Sequence, residues 1–359
     1  MILHKHLGFL RLGALFMLAT GCVFQSKAQN VFQGYENLFT TPRHYAAVFT
    51  PQPPVVDGNL SDKTWEKSVW TASFVDIEGS TKALPKQNTR MKMMWNDTHL
   101  FIAAELEETD LSATLHKHDQ VVFHDNDFEI FIDPNNDTHQ YFEIEVNALN
   151  TIFDLFLSKP YRNNGTALIG WNVAGLRSVV KMNGTLNNPT DRDKSWTVEM
   201  AIPLKALSTG DDVKIPVNGD LWRINFSRVE WDMEAVNGKY VKKLDTRGKS
   251  LPEHNWVWSP QGVINMHYPE RWGYLQFVRD SSSVPEFNIP YSELQRRYLW
   301  LIYYKQKDFF GKNKKYATNL SALGLKDATV QIDGKLNKLE MEVTSTQFTA
   351  TINDQRTKK

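Results

Sequence analysis

The residues best suited to chemistry lie between His124 and Asn147, in the stretch HDNDFEIFIDPNNDTHQYFEIEVN. Successive residues of a strand point to opposite faces. Asp127, Glu129, Phe131 and Asp133 would then share one face, and Phe128, Ile130 and Ile132 the other. After the turn-rich run Pro134 to His139 the alternation restarts. Tyr141, Glu143, Glu145 and Asn147 fall on one side, Phe142, Ile144 and Val146 on the other. The pattern predicts an antiparallel hairpin with an apolar back and an acidic, partly aromatic front. Like charges on adjacent strands repel, so such a face persists only where water, cations, basic side chains or a polar ligand offset the repulsion. Two chemistries suit it. The carboxylates can accept hydrogen bonds from sugar hydroxyls. Alternatively, two of Glu129, Glu143 and Glu145 flank a glycosidic bond, one with a raised pKa, as hydrolysis requires. Sequence gives neither separation nor burial, so binding and catalysis both stay open here.

Three further sets carry chemistry. Asp125, Asp127, Asp133 and Asp137, with Asn135, surround turns with oxygen-rich side chains of the kind that suits Ca²⁺. Their spacing is not that of an EF-hand loop. His116, His118 and His124 form a second metal-type cluster without an obvious further ligand. Trp256, Trp258, Gln261, Asn265, Met266, His267, Tyr268 and Trp272 mix flat rings with hydrogen-bonding groups, as carbohydrate sites do. A tryptophan-rich β core would read the same way. No Gly-x-Ser-x-Gly elbow, phosphate-binding glycine loop, His-Glu-x-x-His helix or dinucleotide fingerprint occurs.

The elements that must position these groups read mostly as strands. Met91, Met93 and Trp95 alternate with Arg90, Lys92 and Met94; Asn96 to His99 turns the chain, and Leu100, Ile102, Ala104 and Leu106 return. Trp196 to Ile202, Trp222 to Phe226 and Trp272 to Val278 continue the strand pattern. Many short strands and no helices of useful length between them predict a β-sandwich. Residues 29–45 read as a tether, 46–279 as the sandwich and 280–290 as a linker. Residues 291–359 read as a small α+β domain, with an aromatic-faced helix ending at Gly311 and strands around Asp333-Gly334.

Bulk properties narrow the partners. Lys plus Arg and Asp plus Glu both number 41 in 359 residues, so net charge offers no attraction to nucleic acid or to an anionic membrane. Residues 1–28 resemble a bacterial export signal: Lys5 and Arg11 precede a short apolar run, Leu12 to Ala19. Two cleavage sites compete, a lipobox-like Ala19-Thr20-Gly21-Cys22 and an ordinary Ser26-Lys27-Ala28. The first would turn Cys22, the sole cysteine, into a lipid anchor; either way an intramolecular disulfide is excluded. The expected location is the bacterial envelope or beyond it.

The order of several motifs adds a resemblance. Pro54-Val55-Val56-Asp57-Gly58 with Trp65, Met94-Trp95-Asn96-Asp97-Thr98-His99-Leu100-Phe101-Ile102-Ala103 and Asp127 to Asp133 come first. Trp196 to Pro203, Trp222 to Arg228 and Trp272-Gly273-Tyr274-Leu275 complete the series. Over residues 46–279 this order resembles carbohydrate-binding module family 9 and its larger relatives. The resemblance implies a β-sandwich that binds oligosaccharide or polysaccharide, often with structural calcium, in company with xylan- or cellulose-degrading enzymes. It implies ligand roles for Glu129 and Asn147. The family's two sugar-stacking tryptophans fall at Phe123 and near Met266, and a ligand-binding Arg falls at Glu145, which reverses the charge. The expected ligand set is therefore Phe123, Glu129, Glu143, Glu145, Asn147, Trp258 and Met266, with no catalytic role. A glycoside hydrolase or lyase, and an envelope scaffold docking a protein through 291–359, are the alternatives.

Overall fold

A computed structural model describes residues 30–208, 215–280, 284 and 286–354. The expected export signal, residues 1–28, lies outside the described residues. Strands dominate from the start: β1 (His44–Phe49), β2 (Val75–Asp76), β3 (Thr89–Trp95), β4 (His99–Glu107), β5 (Asp127–Asp133) and β6 (Tyr141–Asn147). They continue with β7 (Ile152–Leu157), β8 (Ala167–Leu168), β9 (Arg177–Asn183), β10 (Ser195–Pro203) and β11 (Leu221–Glu230). Then come β12 (Met233–Val236), β13 (Lys239–Lys242), β14 (His254–Val257) and β15 (Gly273–Val278).

One continuous sheet runs β8-β7-β6-β5-β11-β15-β1-β3-β4-β10-β9. Pairs are antiparallel except at β1, which lies parallel to both β15 and β3. Strand β11 changes partner along one edge. Its first residues, Leu221 to Ile224, pair with β15, and its last, Ser227 to Glu230, pair with β14. On its other edge Arg223 to Ser227 pair with β5. The two halves close over one core. Phe128, Ile130 and Ile132 of β5 and Phe142, Ile144 and Val146 of β6 pack in the same cluster as Met91, Met93, Ile102, Trp196, Val198 and Met200 from the opposite half. Each such side chain contributes about 1.5–3 kcal/mol of burial, so the period-two alternation dictates which face turns inward.

Local signals agree with this plan. Asn96 Oδ1 accepts from the Thr98 and His99 amides at 2.9 and 2.8 Å, closing the β3–β4 turn. Glu199 of β10 reaches out of the sheet to pin the Asp57-Gly58 turn: it accepts from both amides at 3.0 and 2.7 Å and from Trp65 Nε1 at 2.7 Å. Gly58 has φ of +78°, and a side chain there would collide with Lys181, so glycine is required.

The second unit is helix α1 (Tyr291–Asn313) with an antiparallel sheet of β16 (Thr329–Ile332), β17 (Lys335–Val343) and β18 (Phe348–Asp354). Two expectations need correction here. The helix runs past Gly311, which has open space around it, and ends two residues later with Lys314 in the left-handed conformation. The segment read as a tether is not free: Val31, Phe32, Tyr35, Leu38 and Phe39 pack against Tyr298, Trp300 and Tyr304 of α1. Positions 31, 32, 35, 38 and 39 have the spacing of a helix face, yet the segment forms turns and one short helical stretch, Glu36–Phe39. The aromatic face of the helix packs against this chain's own residues. α1 is also clamped to the sandwich. Glu293 accepts from Arg223 at 2.6 Å and Tyr274 at 3.2 Å, while Glu270 accepts from Tyr304 at 2.5 Å and Arg162 at 2.8 Å.

Candidate functional site

The acidic front of the β5–β6 hairpin exists, but it is sunk rather than solvated. In the observed register Glu129 lies opposite Glu145, Asp127 opposite Asn147, and Phe131 opposite Glu143. On the other side of β5, Ser227 of β11 lies opposite Glu129. Asp127 and Glu145 are 0 and 2% exposed, and Glu129 and Glu143 retain 5% each. Carboxylate oxygens of Asp127, Glu129 and Glu145 lie within 4.8 Å of one another. Two backbone donors reach the group: the Phe123 amide to Glu145 at 3.0 Å and the Val229 amide to Asp127 at 3.2 Å. Asp127 Oδ2, Glu129 Oε2, Glu143 Oε2 and the Ser227 hydroxyl are buried without a hydrogen-bond partner.

Electrostatics follow from this burial. Desolvation is the largest cause that pushes all four carboxyls upward, and repulsion from neighbouring carboxylates adds to it. Desolvation, with a smaller contribution from Glu253, pushes Glu129 to about 7. Desolvation and the neighbouring Glu129 push Glu143 to about 8. Asp127 and Glu145 go well above the usual carboxylate range for the same reasons. His267 Nε2 stands 3.9 Å from Glu143, but burial pushes its pKa down to about 4, so the ring is neutral. Among the described residues no Lys or Arg forms an ion pair with the four carboxylates.

Around this floor stand aromatic rings. The half-buried Phe123 is held by Trp231, whose Nε1 donates to its carbonyl at 2.8 Å. The Lys242 ammonium lies 3.2 Å from the Trp231 ring centroid. Tyr161, 44% exposed, meets His267 edge-on at 4.5 Å. Burial and the charges of Glu143 and Glu145 push its hydroxyl up to about 12, which sets it beside the floor. Met266 is buried in one cluster with Val122, Phe131, Val257 and Trp272, and Phe131 lies opposite Glu143.

The structure thus brings together Glu129, Glu143, Glu145, Phe123 and Met266, and separates the other expected residues. Asn147 is fully buried and saturated: Nδ2 donates to Leu115 O and Asp125, and Oδ1 accepts from the Leu149 and Thr151 amides. Trp258 is 2% exposed and packs on Phe226 in the inner core, on the other side of the sheet, so it cannot meet a ligand at the floor. The four aspartates expected to hold Ca²⁺ do not form one site. Asp125 is taken up by the Thr114 and Leu115 amides at 2.8 and 2.9 Å. Asp133 and Asp137 cap the β5–β6 turn through the Thr138 and His139 amides. That turn lies at the far end of β5, about 20 Å from Asp127. Only Asp127 joins a convergent oxygen set, with Glu129 and Glu145. The sequence reading missed Ser227, Trp231 and Tyr161. Ser227 was legible as an outward position of β11, alternating with the inward Phe226.

Residues 56–273 match the family model described as carbohydrate family 9 binding domain-like. The chain belongs to this family. The curled sandwich is therefore the family 9-like domain, and the acidic floor is a feature of its outer face. A 102-residue stretch is 28% identical to exoglucanase XynX of Acetivibrio thermocellus, covering 28% of this chain and 8% of that protein. A 91-residue stretch is 31% identical to endo-1,4-beta-xylanase A of Thermoanaerobacterium saccharolyticum, covering 25% and 7%. The chain thus spans only a small part of these curated relatives. Among solved structures it is similar to a family 9 carbohydrate binding module from Caldicellulosiruptor kristjanssonii in complex with glucose, at 18% identity and a TM-score of 0.41. That match covers 68% of this chain and all of the module. A structure of a family 9 module from the same organism in complex with cellotriose matches at 18% identity and a TM-score of 0.40, covering 69% of this chain and all of that one.

Proposed function

We propose that this domain binds an oligosaccharide or polysaccharide without cleaving it, at the floor formed by Glu129, Glu143, Glu145 and Asp127. The observation that carries this reading is the set of unpartnered acceptors on one floor edged by Phe123, Tyr161 and Trp231. Sugars supply many hydroxyl donors and apolar ring faces, and this arrangement offers acceptors and flat rings. Family membership supports the same ligand class. The reading includes export to the envelope or beyond, motivated by the signal-like residues 1–28.

Hydrolysis fits less well. Retaining or inverting catalysis needs one carboxyl kept neutral and another kept ionised. Here every member is pushed in the same direction. A Ca²⁺ ion held by Asp127, Glu129 and Glu145 would neutralise the floor in another way. The test is a glycan-panel titration of the purified chain, with Ca²⁺ and again with EDTA, followed by product analysis. Binding without released sugar supports the proposal, and loss of binding in EDTA adds the cation to the site. Released sugar, abolished by Glu129→Gln, overturns it.

A further inference from the structure

The histidine cluster supplies a site the floor does not use. The segment before β5 is a turn, not a strand, and of its histidines only His118 meets acidic partners. Its Nε2 lies 3.4 Å from Asp119 Oδ1, 3.4 Å from Asp154 Oδ1 and 2.5 Å from Asn172 Oδ1. Three separate segments converge there: the 116–120 turn, β7, and the stretch that follows β8. Asp154 is 2% exposed, and its Oδ1 is buried without a hydrogen-bond partner. Its Oδ2 accepts from the Val173 amide at 2.6 Å, which fixes the direction of Oδ1. Asp119 Oδ1 is likewise buried and unpartnered, and the Asp119 amide donates to Ile152 O at 3.1 Å, tying the turn to β7. The site lies on the opposite face of the sheet from the floor, since Asp154 pairs with the inward Ile144 and its neighbour Phe153 with Glu145.

We propose that His118, Asp119, Asp154 and Asn172 bind a divalent transition-metal ion of the Zn²⁺ type. Ligand atoms about 2.1 Å from a tetrahedral ion sit about 3.4 Å from one another, which is the spacing of both carboxylate oxygens from Nε2. Asn172 must back away from His118 by about 1 Å on the same geometry. One imidazole nitrogen among three oxygens favours Zn²⁺ over Ca²⁺, which takes oxygen ligands throughout. The His118 ring is half exposed, so solvent can reach the ion. Bound there, the ion would lock the turn that carries Val122 and Phe123, and hence one edge of the floor, to β7.

The test is calorimetric titration of EDTA-stripped, dialysed protein with Zn²⁺, Mn²⁺ and Ca²⁺ in separate arms, alongside thermal denaturation. The expected result is one equivalent of Zn²⁺, bound at least tenfold more tightly than Ca²⁺. At a hundredfold excess over Kd the midpoint should rise by roughly 5 °C. His118→Ala, a change at a half-exposed turn position, and Asp154→Asn should each weaken Zn²⁺ at least tenfold, while Glu129→Gln leaves it unchanged. An imidazolium clamped between two carboxylates would instead give pH-dependent stability with no metal response, and that result overturns the proposal. So does stoichiometric binding that survives His118→Ala, or that disappears with Glu129→Gln.

Discussion

Strand β11 carries two buried polar regions that handle charge in opposite ways. On its inner side Arg228 is wholly enclosed and fully partnered. It donates to Glu107 O at 2.6 Å, Thr89 at 3.1 Å, Gln87 at 2.8 Å, Glu108 at 2.9 Å and Glu230 at 3.0 Å. On its outer side Ser227, one residue earlier, faces the floor, where four carboxyls share two backbone donors and no basic side chain. Burial is comparable in the two places; satisfaction is not. A buried charge network with every member bonded holds strands in register. A buried set with unpartnered acceptors costs stability until something donates to it. The contrast separates a satisfied polar cluster from an unsatisfied one within one strand.

The largest expected effect comes from breaking the satisfied side. Arg228→Met strands Glu108 and Glu230 without their partner and should cost about 3–5 kcal/mol in urea denaturation. A cost under about 1 kcal/mol would dissolve the contrast. The unsatisfied side should respond with the opposite sign. The floor glutamates titrate higher in the folded chain than their ordinary value of 4.5, with Glu129 at about 7 and Glu143 at about 8. The folded state therefore holds extra protons between those limits, and stability falls as pH rises from about 4.5 to about 8. The melting midpoint should drop by several degrees from pH 5 to pH 8. Glu129→Gln with Glu143→Gln should flatten that slope and add on the order of 2 kcal/mol at pH 8. A midpoint that rises across this range would contradict the account. The smallest effect belongs to the rim. Tyr161→Ala should leave stability within about 0.5 kcal/mol and weaken glycan binding roughly five- to tenfold, the worth of one stacked ring; unchanged affinity would place the sugar elsewhere.

Much of this was legible in the sequence, for a specific reason. Period-two alternation in β5 and β6 places acid against acid whatever the loops do, so the hairpin, its faces and the three glutamates follow from residue order alone. The motif order gave the sandwich. Burial was not legible. The turn at Val122 to His124 and the 255–272 stretch cover the floor through contacts more than a hundred residues apart, such as Trp231 Nε1 to Phe123 O. Asn147 and Trp258 misled because residue type does not reveal saturation or which face a loop residue joins. The calcium aspartates misled because Asx turns and cation loops draw on the same residues. Asp154, one acid in the otherwise apolar IFDLFL strand, was the visible clue to the histidine site.

The most direct test of the central claim is an isothermal titration at pH 8, comparing the unaltered chain with Glu129→Gln/Glu143→Gln against the oligosaccharide that a panel screen ranks first. The account predicts saturable binding by the unaltered chain and a loss of at least tenfold in the double variant, whose melting midpoint is equal or higher. Equal affinity in the two proteins, or no glycan bound by either, would contradict it.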